Sequence, residues 1–252
     1  MEKRIVHNPL EGEKPEMIFN LHLSDGSDEQ VSIVIVHKDR PHHLNLLIQS
    51  IHAVSFNNNY EIIVSDNGSG LESQEFLDEI KDDVKIVRNK ENLYWAAAAN
   101  KGAELADKKS KYILFLHCDV VVLHPNWLDI LINVAESKRS GLVGIDMNAY
   151  MMDGRKVEFI QEWCMLVSRE CWKEAGPFNT KLPVAGHAFI LTMNAQRKGF
   201  QPQCFRQPLC HHYHIMTQPV NEFERMAEEA SVLLPTLIRD IQSIAAIPIK
   251  GL

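Results

Sequence analysis

Four clusters of polar side chains punctuate this sequence at similar intervals: His37 to Arg40, Asp66 to Gly70, Asn89 to Asn92, and Asp119. Each follows a short apolar run, namely VSIVIV, EIIVS, VKIVR and YILFLH. A carboxylate at such a point can ligate a hard divalent cation or accept hydrogen bonds from a polar ligand. Further along, Glu162 stands between Gln161 and Trp163, and His211, His212 and His214 put three imidazoles within four positions. In an extended segment His212 and His214 share a face while His211 points away.

The apolar runs are what must position these groups. VSIVIV, from Val31, is nearly continuous and β-branched, as suits a strand covered on both faces. Asp39 and Pro41 then signal a helix start, and Leu44, Leu47, Ile48 and Ile51 recur on one helical face. EIIVS at 61 to 65 is a second strand, VKIVR at 84 to 88 a third and YILFLH at 112 to 117 a fourth, with helices ending near Lys81 and starting near Trp95. Alternation of strand and helix implies a mostly parallel sheet with right-handed crossovers. Ligands in such sheets bind beyond the carboxyl ends of the strands, and there the four polar loops converge. Residues 1 to 29 read as a polar extension. After Thr217 the pattern turns helical, interrupted at Pro235, with Leu233, Leu237, Ile241 and Ile244 near one face. That tail packs on the domain or on a second subunit, which offers a route to a homo-oligomer.

The chain has 252 residues, 45% of them apolar, enough for a sizeable core around one sheet. A net charge of -7 disfavours nonspecific nucleic-acid binding and a basic membrane-surface role. The five cysteines are odd in number and have no C-x-x-C spacing, which argues for reduced thiols in a cytosol rather than a zinc site or disulfide framework. The start lacks an apolar stretch of signal-peptide length, and no window approaches the roughly 20 apolar residues of a membrane span. The expected location is cytoplasmic, integral insertion being excluded and peripheral attachment left open. HKDRPHH, after the first strand, contains no glycine, so a dinucleotide-binding fingerprint is absent, as is a Walker A loop.

Taken in order, SIVIVHKDR, EIIVSDNGSG, RNKENLYWAAAANKGAELA, YILFLHCDVVV and WCMLVSRECWKEAGPFNTKL resemble successive motifs of glycosyltransferase family 2, whose members have the GT-A fold. The likeness covers about residues 31 to 217. It implies an α/β, GT-A-type three-layer sandwich around a mostly parallel sheet, with an extension at 1–29, a domain at 30–217 and a helical tail at 218–252. It further implies an inverting, metal-dependent transferase that moves a sugar from a nucleotide diphosphate donor, UDP-linked by preference, to a saccharide or glycan acceptor. By this resemblance Asp119 matches the last Asp of the family's Asp-x-Asp motif and ligates the metal. His212, in CHHYHIMT, aligns with a histidine that completes the metal shell. His37, Lys38, Asp39 and Arg40 fall where nucleotide contacts are expected, and Asp66 falls where base or ribose is held. Asn92, Trp95 and Asn100 lie in the segment beneath nucleotide and sugar, although Leu93 and Tyr94 replace the family's glycine region.

Two departures qualify the resemblance. His117 stands where the first Asp of Asp-x-Asp would be; it either faces the nucleotide sugar and metal or is a strand-end histidine bonded to backbone. Magnesium prefers oxygen ligands and manganese tolerates imidazole better, so Mn2+ is favoured over Mg2+. The family's Glu-Asp pair, which carries the catalytic base, is also missing: His187 and Ala188 occupy its place in GHAFILTMNAQRKGF. Either His187 or Glu162 then serves as base, or the chain is a noncatalytic relative that binds a sugar nucleotide or glycan. Trp163 beside Glu162 is either a sugar platform or a core residue. A nucleotidyltransferase acting on a sugar phosphate is the weakest reading, because a glycine-rich basic loop is absent.

Overall fold

Val31, Ile33 and Ile35 point to one side of the first strand and Val34 and Val36 to the other, and both sides are covered. This strand, β1 (Val31–His37), is flanked by β2 (Tyr60–Asp66) and β4 (Tyr112–His117), parallel to both. Helix α1 (Pro41–Val54) follows β1 and buries the expected Leu44, Leu47, Ile48 and Ile51. Helix α2 (Leu71–Ile80) leads to β3 (Lys85–Arg88), and α3 (Tyr94–Glu104) leads to β4. The molecule is seen in a computed structural model that describes residues 31–55, 59–136, 139–152, 154–214 and 250–251.

Beyond β4 the chain forms β5 (Val120–Val122), α4 (Trp127–Glu136), β6 (Leu142–Gly144), β7 (Met147–Met152), β8 (Arg155–Ile160) and β9 (Cys164–Ser168). It continues through α5 (Arg169–Ala175), α6 (His187–Arg197), β10 (Gln203–Cys204), β11 (Cys210–His212) and β12 (Lys250–Gly251). The main sheet runs β12-β10-β6-β9-β4-β1-β2-β3. It is mostly parallel, as the sequence implies, but β9 is antiparallel to both neighbours, β4 and β6. Two ribbons stand apart: the β7–β8 hairpin and the antiparallel pair β5–β11.

Three layers result. Helices α1, α2 and α4 cover the face that carries Ile33, Ile35 and Leu114, with Trp127 of α4 fully buried and its indole N–H donating to Ser55 Oγ at 2.9 Å. Helices α3, α5 and α6 cover the face of Val34, Ile113 and Phe115. The Ala96 to Ala99 stretch allows α3 to lie close on β1 and β2, as a run of small side chains should. Gly102 is the tightest point: a Cβ there would come 2.4 Å from Val34 Cγ1. Gly102→Ala is therefore expected to lower unfolding free energy by about 1–3 kcal/mol in a urea titration, with little change in m.

The expected amino-terminal extension and the greater part of the expected helical tail lie outside the described residues. Lys250–Gly251 do not continue that helix: they pair as strand β12 with β10. Among the described residues no helix is long and apolar enough to cross a membrane.

Candidate functional site

All four parallel strands end at one edge of the sheet, so His37, Asp66, Arg88 and His117 emerge along it. His37 and Asp66 are register partners, and both are fully buried. Neither ring nitrogen of His37 has a hydrogen-bond partner, and Asp66 Oδ1 lacks one too. Asp66 Oδ2 accepts from Gln74 Nε2 of α2 at 2.6 Å. One free carboxylate oxygen therefore remains at the end of β2. Burial pushes His37 down to about 4, with Asp66 and Asp39 only partly opposing it. The ring is therefore neutral at neutral pH.

The sign of its pH effect follows from that depression. Between the ordinary 6.5 and about 4 the unfolded chain binds the proton and the folded one does not, so stability falls as pH drops through this range. From pH 7.5 to pH 5, denaturant titrations should show wild type losing about 2 kcal/mol more than His37→Asn. Equal losses would mean that His37 is protonated in the folded state.

The first loop is pulled across to the second. Asp39, at φ 49, is not the cap of α1; Arg40 occupies that position and provides no side-chain cap. Gly70 N–H instead donates to Asp39 Oδ1 at 2.6 Å, and Asp39 N–H donates to Ser69 Oγ at 3.0 Å. Lys38 Nζ bonds the Gly68 carbonyl at 3.2 Å and pairs with Asp39. Gly68 has φ 72, and a Cβ on it would lie 2.7 Å from the Glu91 carbonyl carbon, so the DNGSG turn requires glycine there.

The third loop forms a floor. Asn67 Nδ2 donates to Asn92 Oδ1 at 2.8 Å, and Asn67 Oδ1 accepts from Leu93 N–H at 2.8 Å. Asn92 Oδ1 also accepts from the N–H of Tyr94, a residue at φ 60. Asn100 is committed elsewhere: its amide makes a reciprocal pair with the backbone of Phe178, at 2.9 and 3.0 Å. It clasps α3 to the loop after α5 rather than offering free polar atoms to a ligand. Trp95 lies between two histidines, stacked on His187 at 4.9 Å and 18° and tilted against His117 at 5.5 Å.

The fourth loop and the β5–β11 ribbon bring together His117, Asp119 and His212, one ligand atom from each lying within 4.8 Å of the others. His212 pairs with Val120 across the ribbon, and Tyr213 N–H donates to the Asp119 carbonyl at 3.0 Å. His212 Nε2 lies 3.2 Å from Asp119 Oδ1. Trp163 stacks beneath the His212 ring at 4.9 Å and 18°. That indole is buried and donates to Asp146 Oδ2 at 3.2 Å, so it orients the histidine and is not an open platform. His117 Nε2 is buried with no partner, and burial lowers the ring to about 4 despite Glu162 and Asp119. Both histidines have a buried, unpartnered nitrogen and one carboxylate adjoins them, so the donor set suits a divalent metal ion. His211 and His214 lie outside this cluster.

Glu162 and His187, alternatives in the sequence, lie side by side. His187 Nε2 is 3.5 Å from Glu162 Oε1, and the side chains are 1% and 19% exposed respectively. His187 Nδ1 is 3.0 Å from the Leu182 carbonyl, which can only accept, so Nδ1 carries a proton. Burial works to raise Glu162, but His187 and then His117 outweigh it and bring the carboxyl down to about 2. Only Glu162 of this pair reaches solvent. Ala188 is 2% exposed and packs in the core.

Gln74, Asn67 and Asp146 also build the site and have no distinctive signal in the sequence. Asn67 reads there as one more turn residue, and Gln74 and Asp146 act through partners 8 and 17 residues away. Another buried carboxylate, Glu61, is at the opposite end of β2, where Ser32 and Asp107 N–H donate to it and Lys85 pairs with it.

A family model for "Glycosyl transferase family 2" matches residues 32–193, well over half of the chain. The chain belongs to glycosyl transferase family 2. Solved structures agree on the GT-A-type fold: a mannosyltransferase from Pyrobaculum calidifontis in complex with GDP-Man and Mn2+ superposes with TM-score 0.63 at 12% identity, covering 87% of this chain and 66% of that one. S. aureus TarS residues 1–349 give TM-score 0.52 at 14% identity over 66% of this chain and 55% of that one, and the same fragment is known in complex with UDP. Among curated proteins, O-antigen biosynthesis protein RfbC of Myxococcus xanthus is 24% identical over 220 residues, 73% of this chain and 17% of that protein. Protein y4gI of Sinorhizobium fredii is 30% identical over 129 residues, 50% of this chain and 14% of that one. The chain thus spans less than a fifth of the length of either curated relative. Its polar loops lie at the carboxyl edge of the sheet.

Proposed function

We propose that this family 2 domain transfers a sugar, with inversion, from a UDP-linked donor to a saccharide or glycan acceptor, assisted by a divalent metal ion at Asp119 and His212. The observation that carries this reading is the placement along one edge of the free oxygen of Asp66 and of the His117–Asp119–His212 cluster. Uracil presents one N–H donor on its pairing edge, matching the one free oxygen of Asp66. Guanine presents two donors, and the second oxygen of Asp66 is held by Gln74. The relatives' complexes with UDP, and with GDP-Man and Mn2+, support the ligand class. The likeness to an O-antigen biosynthesis protein supports a glycan acceptor.

When bound, the metal ion neutralises charge developing on the diphosphate leaving group. The protein's own residues perform the acceptor half. Glu162, the accessible member of its pair, faces the acceptor hydroxyl as that oxygen attacks the anomeric carbon and the bond to the diphosphate oxygen breaks. Glu162 takes the hydroxyl proton and passes it to His187 Nε2, whose partner nitrogen is held by Leu182. Relay to the imidazole returns Glu162 to its carboxylate form, so the pair rather than the carboxylate alone carries the proton away. Trp95, stacked on His187, braces that ring from the side of α3.

The low pKa of Glu162 favours a second reading, a relative that binds a sugar nucleotide without turnover, since such a carboxylate is a weak base. A panel of nucleotide sugars, screened first by metal-dependent thermal shift and then for donor hydrolysis and transfer, separates the two. UDP-sugar binding with release of UDP supports transfer. Stabilisation without release, over a broad acceptor panel, establishes the binding module, and no stabilisation by any nucleotide sugar defeats both.

A further inference from the structure

His117 is the group in the cluster that neither Asp119 nor His212 accounts for. Its Nε2 is buried and has no hydrogen-bond partner, and the residue offers one ligand atom within 4.8 Å of those of a carboxylate and a second imidazole. We propose that His117 is a third protein ligand, so that the chain holds a borderline transition-metal ion, of the Mn2+, Co2+ or Zn2+ class, through two imidazoles and one carboxylate before any nucleotide arrives. This rests on the reading of Asp119 and His212 as metal ligands and adds the identity and order of binding of the ion.

Two features make the set a built one. His117 is oriented by its backbone, whose N–H donates to the Trp163 carbonyl at 3.1 Å, and by Trp95 on the ring at 5.5 Å. His212 is held flat against Trp163, and its Nδ1 is also buried without a partner. Ligand chemistry then decides the ion. Mg2+ demands oxygen donors and gives up water reluctantly, whereas imidazole suits the later first-row ions. A lone strand-end carboxylate would depend on diphosphate oxygens to retain any ion; three protein ligands would not.

The test uses the full chain, stripped with a chelator and titrated separately with Co2+, Mn2+ and Mg2+ in the absence of nucleotide, by calorimetry and equilibrium dialysis. One Co2+ per chain is expected, bound about 100-fold more tightly than Mg2+. His117→Ala should weaken Co2+ at least about tenfold, and His117→Asp should narrow or reverse the preference over Mg2+. Circular dichroism in chelator checks that the variants are folded, and His117→Gln carries the comparison if Ala does not fold. Equal affinity for Mg2+ and Co2+, or wild-type Co2+ binding by the His117 variants, overturns the proposal. If Asp119→Ala loses Co2+ while His117→Ala keeps it, only the third ligand fails. If Asp119→Ala also keeps it, the metal reading of the whole site fails. Loss only in His211→Ala or His214→Ala would put the ion on the outer histidines, and the metal reading of the site would fail there too.

Discussion

Asp119→Ala is expected to abolish metal-dependent UDP binding and to cut sugar transfer roughly a thousandfold, about 4 kcal/mol of transition-state stabilisation. The magnitude follows from position. Asp119 is the carboxylate of the cluster, lies between β4 and β5, and is 3.2 Å from His212. Its removal leaves two imidazoles, with no anionic ligand to balance a dication. The fold should survive, because the Asp119 carbonyl, not its side chain, takes the ribbon hydrogen bond from Tyr213. Calorimetry of UDP with and without Mn2+ reads the first effect and initial rates the second. Unchanged metal-dependent binding in the variant would remove Asp119 from the ligand set.

Glu162→Gln should leave donor and metal binding intact and lower kcat by roughly 10² to 10⁴, the range for loss of a general base. Glutamine keeps the shape and can still face His187, but it cannot take a proton. His187→Gln should cost less, roughly tenfold, because Glu162 would still meet the hydroxyl without a group behind it to receive the proton. The two losses should not add, since both act on one proton. KM for the donor separates this from damage to the nucleotide site: it should stay near wild type in both variants. A wild-type kcat in Glu162→Gln would return the base to an unassigned group.

The carboxyl edge of the sheet is legible in the sequence because local signals coincide there. Each of VSIVIV, EIIVS and YILFLH is long enough to be a buried strand, and each ends at a polar break that becomes a loop. Asp66 and Asp119 can therefore be placed at strand ends with no knowledge of the partners around them. The acceptor side resists because its contacts are between distant segments. Nothing in IQEWC or GHAFIL alone says that Glu162 and His187 meet, and only the antiparallel insertion of β9 beside β4 brings Glu162 back to this edge. Trp163 shows the same limit: the sequence allows platform or core, and the Asp146 hydrogen bond and His212 stack decide for a buried, orienting ring. Asn100 is expected near the ligand for its place in α3, but its reciprocal pairing with Phe178 is a tertiary choice that no local pattern signals.

The β5–β11 ribbon has a consequence for how the cluster is assembled. Only three residue pairs define it, Cys210 with Val122, His211 with Val121 and His212 with Val120. In a strand a slip of one residue turns every side chain to the opposite face. Such a slip would swing His212 away from Asp119 and present a neighbour instead, so the ribbon's alignment works as a vernier on the histidine's position. Buried Leu209 and Cys210 set that vernier from one end. An ion shared by Asp119 and His212 would set it from the other, since any ligand that binds one alignment alone shifts the equilibrium towards it by mass action.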